Sequence, residues 1–419
     1  MISRNACYWI WITLSIGYNN PKVKRISEMY SDVSAFYYGG ISEWRLCGIF
    51  SQKDIERFSS TGLDDAKKIV DRCIECNYSI LCIDDELFPK CLYNIDCPPA
   101  LIYINGVMPD IDNTFSIGIV GTRRATKYGI ENSYRFAYAL SKYGTIIVSG
   151  GALGVDGASH RGALATDGIT ICVRGCGLNC SYLRENSDIR STIPKRGAVI
   201  TEYPPDETPR NYYFPARNRI IAALSDGLLV MEAGKKSGSL ITANLAAEQG
   251  KTIFALLGNN SPQNEGSNAL IKEGLAIPVT DFMDILCEFD SLYATTDDEF
   301  DIDNISLADT GNFPVKGIRK QAPARIYVNK QNDRQPAKTA VPYVSEKSET
   351  VVQKPVHKEN LNLPKTAQDV YEYIGNEPVH IDKISADLKI PVFKVLTALT
   401  MLEMKDLVSA LQGRNYILK

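Results

Sequence analysis

Between residues 115 and 273, short apolar runs alternate with amphipathic stretches in an order that few folds can accommodate. Strand-like runs occupy 115–120, 145–149, 170–173, 198–202, 227–232 and 252–257, and helix-like runs occupy 128–143, 155–166, 217–224, 239–249 and 267–273. Alternation of this kind predicts right-handed βαβ units building a doubly wound, mostly parallel α/β sheet. In such a sheet the loops that follow the strands gather along one edge, where ligands bind.

The flanking regions read differently. Residues 1–75 show helical periodicity broken by Gly39-Gly40 and Gly48, which predicts a small domain of several short helices. The stretch 76–114 is β-like and is expected to connect that domain to the core at 115–287. Residues 288–363 lose periodicity and are rich in Asp, Asn, Lys, Gln and Pro, the composition of a flexible linker. From 364 to 419 the pattern returns: helices are expected at 367–374, 381–388 and 392–404, then a hairpin pairing 407–410 with 415–418. Three helices and a hairpin predict a winged helix. Its balanced charge makes a protein-interaction role at least as well supported as duplex DNA binding.

Charge sets a limit on partners. The 419 residues carry 46 Lys and Arg against 49 Asp and Glu, so the chain is no uniformly basic coat for nucleic acid. Only 115–286 is positive, with 18 against 15, so an anion site must come from local clustering. Eleven cysteines at irregular spacing and only three histidines argue against both a disulfide framework and zinc, and for reduced thiols in the cytoplasm. The apolar stretch 6–17 is shorter than a membrane span and has no basic leader before it. Neither a membrane partner nor a metal or cofactor is expected.

Four loops carry the chemistry. Gly121-Thr122-Arg123-Arg124 follows the first strand, but Gly118-x-x-Gly121 is no GxGxxG, which argues against ordinary dinucleotide binding. Two arginine forks there suit phosphate oxygens or, more plainly, surface ion pairs. Ser149-Gly150-Gly151 opens a glycine-rich turn whose amides and following helix favour an anion. Phe214 to Arg219 places an aromatic ahead of Arg217, Asn218 and Arg219; stacked bases and paired phosphates fit it, as does core packing of the ring. Lys235, with Ser237-Gly238-Ser239, again sets a cation and hydroxyls before a helix.

The acids near this edge are supporting groups. His160 falls one helical turn after Asp156, so a local His–Asp hydrogen bond is the default reading. Glu202 and Glu232 lie at strand ends, where they could orient arginines. No Ser-His-Asp order, HExxH or P-loop lysine is present, and no catalytic residue is assigned.

Taken together, these motifs resemble the bacterial DNA-processing protein A family (DprA, also called Smf). The resemblance covers nearly the whole length. It rests on Val120-Gly121-Thr122-Arg123, on Ser149-Gly150-Gly151-Ala152 through Asp156-Gly157 to His160-Arg161-Gly162, on Phe214-Pro215-x-Arg217-Asn218-Arg219, and on Glu232-Ala233 leading to Ser237-Gly238-Ser239-Leu240-Ile241-Thr242. It implies an amino-terminal SAM-like domain, an extended Rossmann-like core that binds single-stranded DNA in a basic pocket, and a carboxy-terminal winged helix. It further implies a homodimer that protects incoming strands, cooperates with single-strand-binding protein and loads RecA recombinase during natural transformation. Arg184 falls where members carry a basic residue after a Tyr-Pro pair; here Leu183 replaces the proline, and Leu256-Leu257-Gly258-Asn259 likewise departs from the family pattern. A nucleotide-hydrolysing phosphoribohydrolase of the LOG type is the alternative on this fold, but the Gly234 to Thr242 stretch lacks that group's glycine loop and glutamate.

Overall fold

The computed structural model describes residues 1–289 and, further on, 365–375, 378–388, 390, 395, 398–399, 402, 405, 407–411 and 415–418. The predicted linker therefore lies outside the described residues, except for its first two positions. The chain divides into two units, 1–324 and 325–419.

The first unit begins with five helices: α1 (Ala6–Ile16), α2 (Lys22–Met29), α3 (Val33–Leu46), α4 (Gln52–Ser60) and α5 (Leu63–Glu75). Helices α3 and α4 pack against Trp11 of α1, whose ring lies 5.0 Å from Phe58 and 5.7 Å from Trp44. Ser51 and Asp54 form a reciprocal capping box that starts α4.

A nine-stranded sheet follows. Its strands are β1 (Ser79–Cys82), β2 (Leu101–Gly106), β3 (Ser116–Val120), β4 (Ile146–Ser149), β5 (Thr170–Val173), β6 (Ala198–Thr201), β7 (Gly227–Val230), β8 (Thr252–Leu256) and β9 (Ile277–Val279). The spatial order is β1-β2-β6-β5-β4-β3-β7-β8-β9. From β6 to β9 all neighbours are parallel, while β2 pairs antiparallel with β6 and with β1. The doubly wound sheet read from the alternation is thus present and longer than expected. The segment taken as a connector adds two strands to it, because Leu101–Ile104 is apolar on both faces and is buried on joining β6. The short β9, interrupted by Pro278, carried no period-2 signal.

The helices between strands are α6 (Lys90–Tyr93), α7 (Lys127–Lys142), α8 (Val155–Ala165), α9 (Ser187–Thr192), α10 (Tyr213–Ala223), α11 (Gly238–Glu248), α12 (Glu265–Lys272) and α13 (Met283–Glu288). Alternate side chains divide the strands between two cores. Ile117, Ile119, Ile147, Leu229 and Phe254 pack with Phe136, Leu140 and Val155 of α7 and α8. Val120, Ile146, Val148, Leu228, Val230 and Ile253 pack on the opposite face with Ile220, Ile221 and Ala243 of α10 and α11. Burial on both faces explains why these strands are near-continuous apolar runs.

One crossing sets the position of the site. From β6 the chain passes through α10 to β7, which pairs with β3 on the side away from β4. The loops after β3 and β7 therefore diverge to opposite halves of the sheet, leaving a crevice between them.

The second unit contains α14 (Lys365–Tyr373), α15 (Ile381–Leu388) and a three-stranded antiparallel sheet of order β10-β12-β11, with β10 (Val379–His380), β11 (Val408–Leu411) and β12 (Asn415–Leu418). Two of its expected helices and the hairpin are present. The third, 392–404, falls mostly outside the described residues, although Val395, Ala398, Leu399 and Leu402 are buried in the core of this unit.

Candidate nucleic-acid interface

At the crevice lies an open pocket of about 530 Å³, walled by four loops and the first turns of α10 and α11. The loop after β3 contributes Gly121, Thr122, Arg123 and Arg124; α10 contributes Phe214, Arg217 and Asn218; α11 contributes Ser237, Gly238, Ser239 and Thr242. Ala152, Asp156, Tyr182 and Asn211 complete the polar and small lining.

The local sequence explains each wall. Gly121 abuts α8 so closely that a Cβ would stand 2.4 Å from a Val155 methyl, so only glycine lets this loop turn over the helix. Thr122 N–H donates to the Glu232 carbonyl at 2.7 Å, tying the loops after β3 and β7 together. Arg123 emerges from this turn with its guanidinium 5.3 Å from the centre of the Phe214 ring, within cation–π range. Its Nη1 also donates to the Tyr182 hydroxyl at 3.3 Å, and the rings of Tyr182 and Phe214 lie 5.3 Å apart.

Helix α10 starts four residues earlier than the sequence pattern indicates. Pro215 is in its first turn, where the missing N–H costs nothing. Tyr213, stacked on Tyr203 at 3.9 Å, fixes this start. With that origin, Phe214, Arg217, Asn218 and Ile221 fall at i, i+3, i+4 and i+7 on one face, and all four line the pocket.

Arg219 does not join them. Two residues on from Arg217 is a turn of about 200° around the helix, which aims its guanidinium at the opposite side. There it grips Glu202 through two bonds of 2.7 Å and donates to the carbonyls of Cys97 and Ala216. The expected phosphate contact at Arg219 is corrected to a buried structural fork, and Glu202 is its partner.

Other expectations change as well. Two amides of the glycine-rich turn are not left for a ligand: Ala152 N–H donates to the Asp156 carboxylate at 3.3 Å, and the Gly150 amide reaches the same group. A carboxylate of the chain itself already occupies this anion niche. Burial pushes the Asp156 carboxyl upward, while the Arg217 charge and these amides pull it back. Gly150 separates the two charged groups, since a Cβ there would lie 2.6 Å from Arg217 Nη2 and 2.7 Å from Asp156 Oδ2. Arg217 is 5% exposed and donates to the carbonyls of Gly150, at 2.8 Å, and Val173. Ser149 is fully buried and donates to the Ile119 carbonyl at 2.7 Å, so it holds strands together.

His160 does not pair with Asp156. Its Nδ1 lies 2.7 Å from Thr170 Oγ1, which itself donates to the Ile147 carbonyl, so the ring nitrogen is the donor. The ring is neutral: burial, followed by the charges of Arg161 and Arg217, lowers its pKa to about 3. Glu232 orients no arginine either. It accepts from Thr126 N–H and Oγ1 at 2.8 and 2.6 Å, fixing the residue that caps α7. Arg184 and Lys235 are exposed and do not line the pocket; Lys235 instead lies 3.6 Å from Glu265.

Sequence reasoning assigned no site role to Tyr182 and Asn211 in the pocket, or to Arg174 and Arg190 just beneath it. Arg174 directly follows the apolar run of β5, the same signal that drew attention to Arg123. Arg190 had none, because α9 lacks a clear period. Leu183 adopts a left-handed conformation with φ of 58°, which proline, fixed at about −65°, cannot take, so this loop differs from the one a Tyr-Pro pair would set.

The fold and the pocket define an α/β protein with a cationic, aromatic-walled cleft at the topological switch point of its sheet. The family model for DNA recombination-mediator protein A matches residues 79–290, and that for the DprA winged helix domain matches 357–414. The chain belongs to the DNA recombination-mediator protein A family. It is 39% identical over 212 residues to Protein Smf of Escherichia coli strain K12, covering 50% of this chain and 56% of that one. With Protein Smf of Synechocystis it shares 32% identity over 346 residues, 81% of this chain and 80% of the other. The chain thus spans little more than half the length of the E. coli relative. The X-ray structure of DNA processing protein A from Streptococcus pneumoniae aligns with a TM-score of 0.59 at 31% identity, covering 67% of this chain and 97% of that one.

Proposed function

We propose that the chain is a recombination mediator that binds single-stranded DNA in the switch-point pocket and acts by binding. The supporting observation is the junction of Arg123, Phe214 and Tyr182, where a cation and two aromatic rings meet at one mouth. A flexible strand can lay a base against such rings and a phosphate against the guanidinium, with little regard for sequence. The pocket residues include Arg123, Arg124 and Arg217 against the single acid Asp156, so its field is positive although the chain as a whole is not. Ser237, Ser239 and Thr242 add hydroxyl donors for phosphate oxygens.

Protection of the strand and its transfer to RecA recombinase, alongside single-strand-binding protein and from a homodimer, are the partner steps that go with this reading. The test is fluorescence anisotropy with a labelled oligothymidylate. Arg123→Glu is expected to weaken binding by at least tenfold, the equivalent of about 1.4 kcal/mol. Unchanged affinity removes the pocket from the account.

A further inference from the structure

Behind the Phe214 and Tyr182 rings, the main pocket continues into a small nook of about 20 Å³. Arg123, Ala152, Tyr182, Phe214 and Arg217 line both spaces, so the nook opens from the pocket. Its floor is made by the ends of β4 and β5, at Gly150 to Ala152 and Cys172 to Cys176. Arg174 and Arg190 complete it, which brings four guanidinium groups to one niche with no acidic residue in its lining.

No carboxylate pairs directly with that charge, although Asp156 lies near Arg217 and Asp188 near Arg190. Arg174 is 5% exposed and donates to the carbonyls of Leu178 and Cys180 at 2.8 and 2.7 Å. Arg190 donates to the Leu183 carbonyl at 2.7 Å. Carbonyl dipoles satisfy some N–H groups but leave the net charges in place. Asp188, the acid nearest on α9, is taken by Arg161 at 3.2 Å. Among the described residues no carboxylate forms an ion pair with Arg174, Arg190 or Arg217. The neighbouring thiols do not help, because burial pushes both Cys172 and Cys176 up to about 11 and keeps them protonated. Four guanidinium groups facing one nook, with the nearest acids outside its lining, favour an anion that completes the site.

We propose that this nook receives the terminal phosphate monoester of a bound DNA strand. The inference rests on the single-strand reading above and narrows it. Volume selects the group: a space of this size admits one or two oxygen atoms, so a phosphate must enter head-on. An internal phosphodiester offers only its two non-bridging oxygens and has chain leaving on both sides, which the rings at the mouth obstruct, whereas a terminal monoester presents three free oxygens with chain on one side only. Charge points the same way, since a monoester carries about −1.5 to −2 at neutral pH against −1 for a diester. Arg174 and Arg190 act as the specificity residues, and the Phe214–Tyr182 pair holds the adjoining base.

The test compares the full chain bound to oligothymidylates of one length ending in 5′-hydroxyl, 5′-phosphate or 3′-phosphate. One of the two phosphorylated ends is expected to bind about tenfold or more tighter than the hydroxyl end, the range of charge-assisted hydrogen bonds. Which end gains identifies the polarity of the strand. Arg190→Gln is expected to bring that ratio to about one. Independently of any variant, inorganic phosphate at constant ionic strength should erode the advantage, while chloride should not. Equal affinity for all three ends, with binding still tight, overturns the subsite and leaves the pocket standing. Failure to bind any of them overturns the single-strand reading itself.

Discussion

The Arg123 guanidinium sits 5.3 Å from the centre of the Phe214 ring, joining the loop after β3 to the first turn of α10. Strand and crossover helix are ninety residues apart in the chain. Their contact makes one mouth out of two elements that neither half of the sheet could supply alone. Each member should have its own signature. Removing the cation by Arg123→Ala should lower the salt-dependence slope of single-strand binding by about 0.7, the value for one phosphate contact. Phe214→Ala should cost about 1–3 kcal/mol of affinity with the slope unchanged, because stacking releases no counterions. Anisotropy titrations across a salt series separate the two.

Arg219 and Glu202 are expected to matter for stability. Their side chains are only 6% and 3% exposed. Replacing either by alanine leaves a charge buried without its partner and should lower unfolding free energy by about 3–5 kcal/mol in urea titrations. The double change Arg219→Met with Glu202→Leu should restore most of that loss.

His160 predicts an acid limb. Its folded pKa of about 3 lies below the ordinary value near 6.5. The unfolded chain therefore takes up the proton first. The neutral ring contributes its full stability above about pH 6.5, and that contribution is lost progressively as pH falls toward 3. The slope should approach about 1.4 kcal/mol per pH unit and should flatten in His160→Gln, followed by thermal melts from pH 7 to 4.

Gly150→Ala tests how tightly Arg217 is held. The added methyl would stand 2.6 Å from a guanidinium nitrogen that cannot swing away, since Arg217 is anchored to the Gly150 and Val173 carbonyls. Overpacking there should destabilise the fold by about 1–3 kcal/mol and weaken oligonucleotide binding together. Urea unfolding and anisotropy on the same preparation check both effects.

The sheet was legible because parallel strands buried on both faces must be apolar throughout, and six such runs stand out between residues 115 and 257. The walls of the pocket were legible for the same reason: cations and glycines directly after those runs have to lie on one edge. What misled was phase. Taking α10 to begin at Arg217 left Phe214 in a loop, and grouping Arg217 with Arg219 as one cationic cluster ignored that residues two apart on a helix point to opposite faces. No local pattern marks the actual start at Tyr213, because it is fixed by the stacking of that ring on Tyr203, a tertiary contact. Tyr182 and Arg190 were missed for a related reason. They reach the site from a loop and a six-residue helix, whose positions depend on carbonyl contacts made by Arg174 and by Arg190 itself.

Photocrosslinking of an oligonucleotide carrying 5-iododeoxyuridine, followed by peptide mapping, tests the central claim most directly. Adducts on Tyr182 or Phe214 are the predicted result, because the stacked base must lie against those rings. Adducts confined to the five amino-terminal helices or to residues 365–418 would contradict the account.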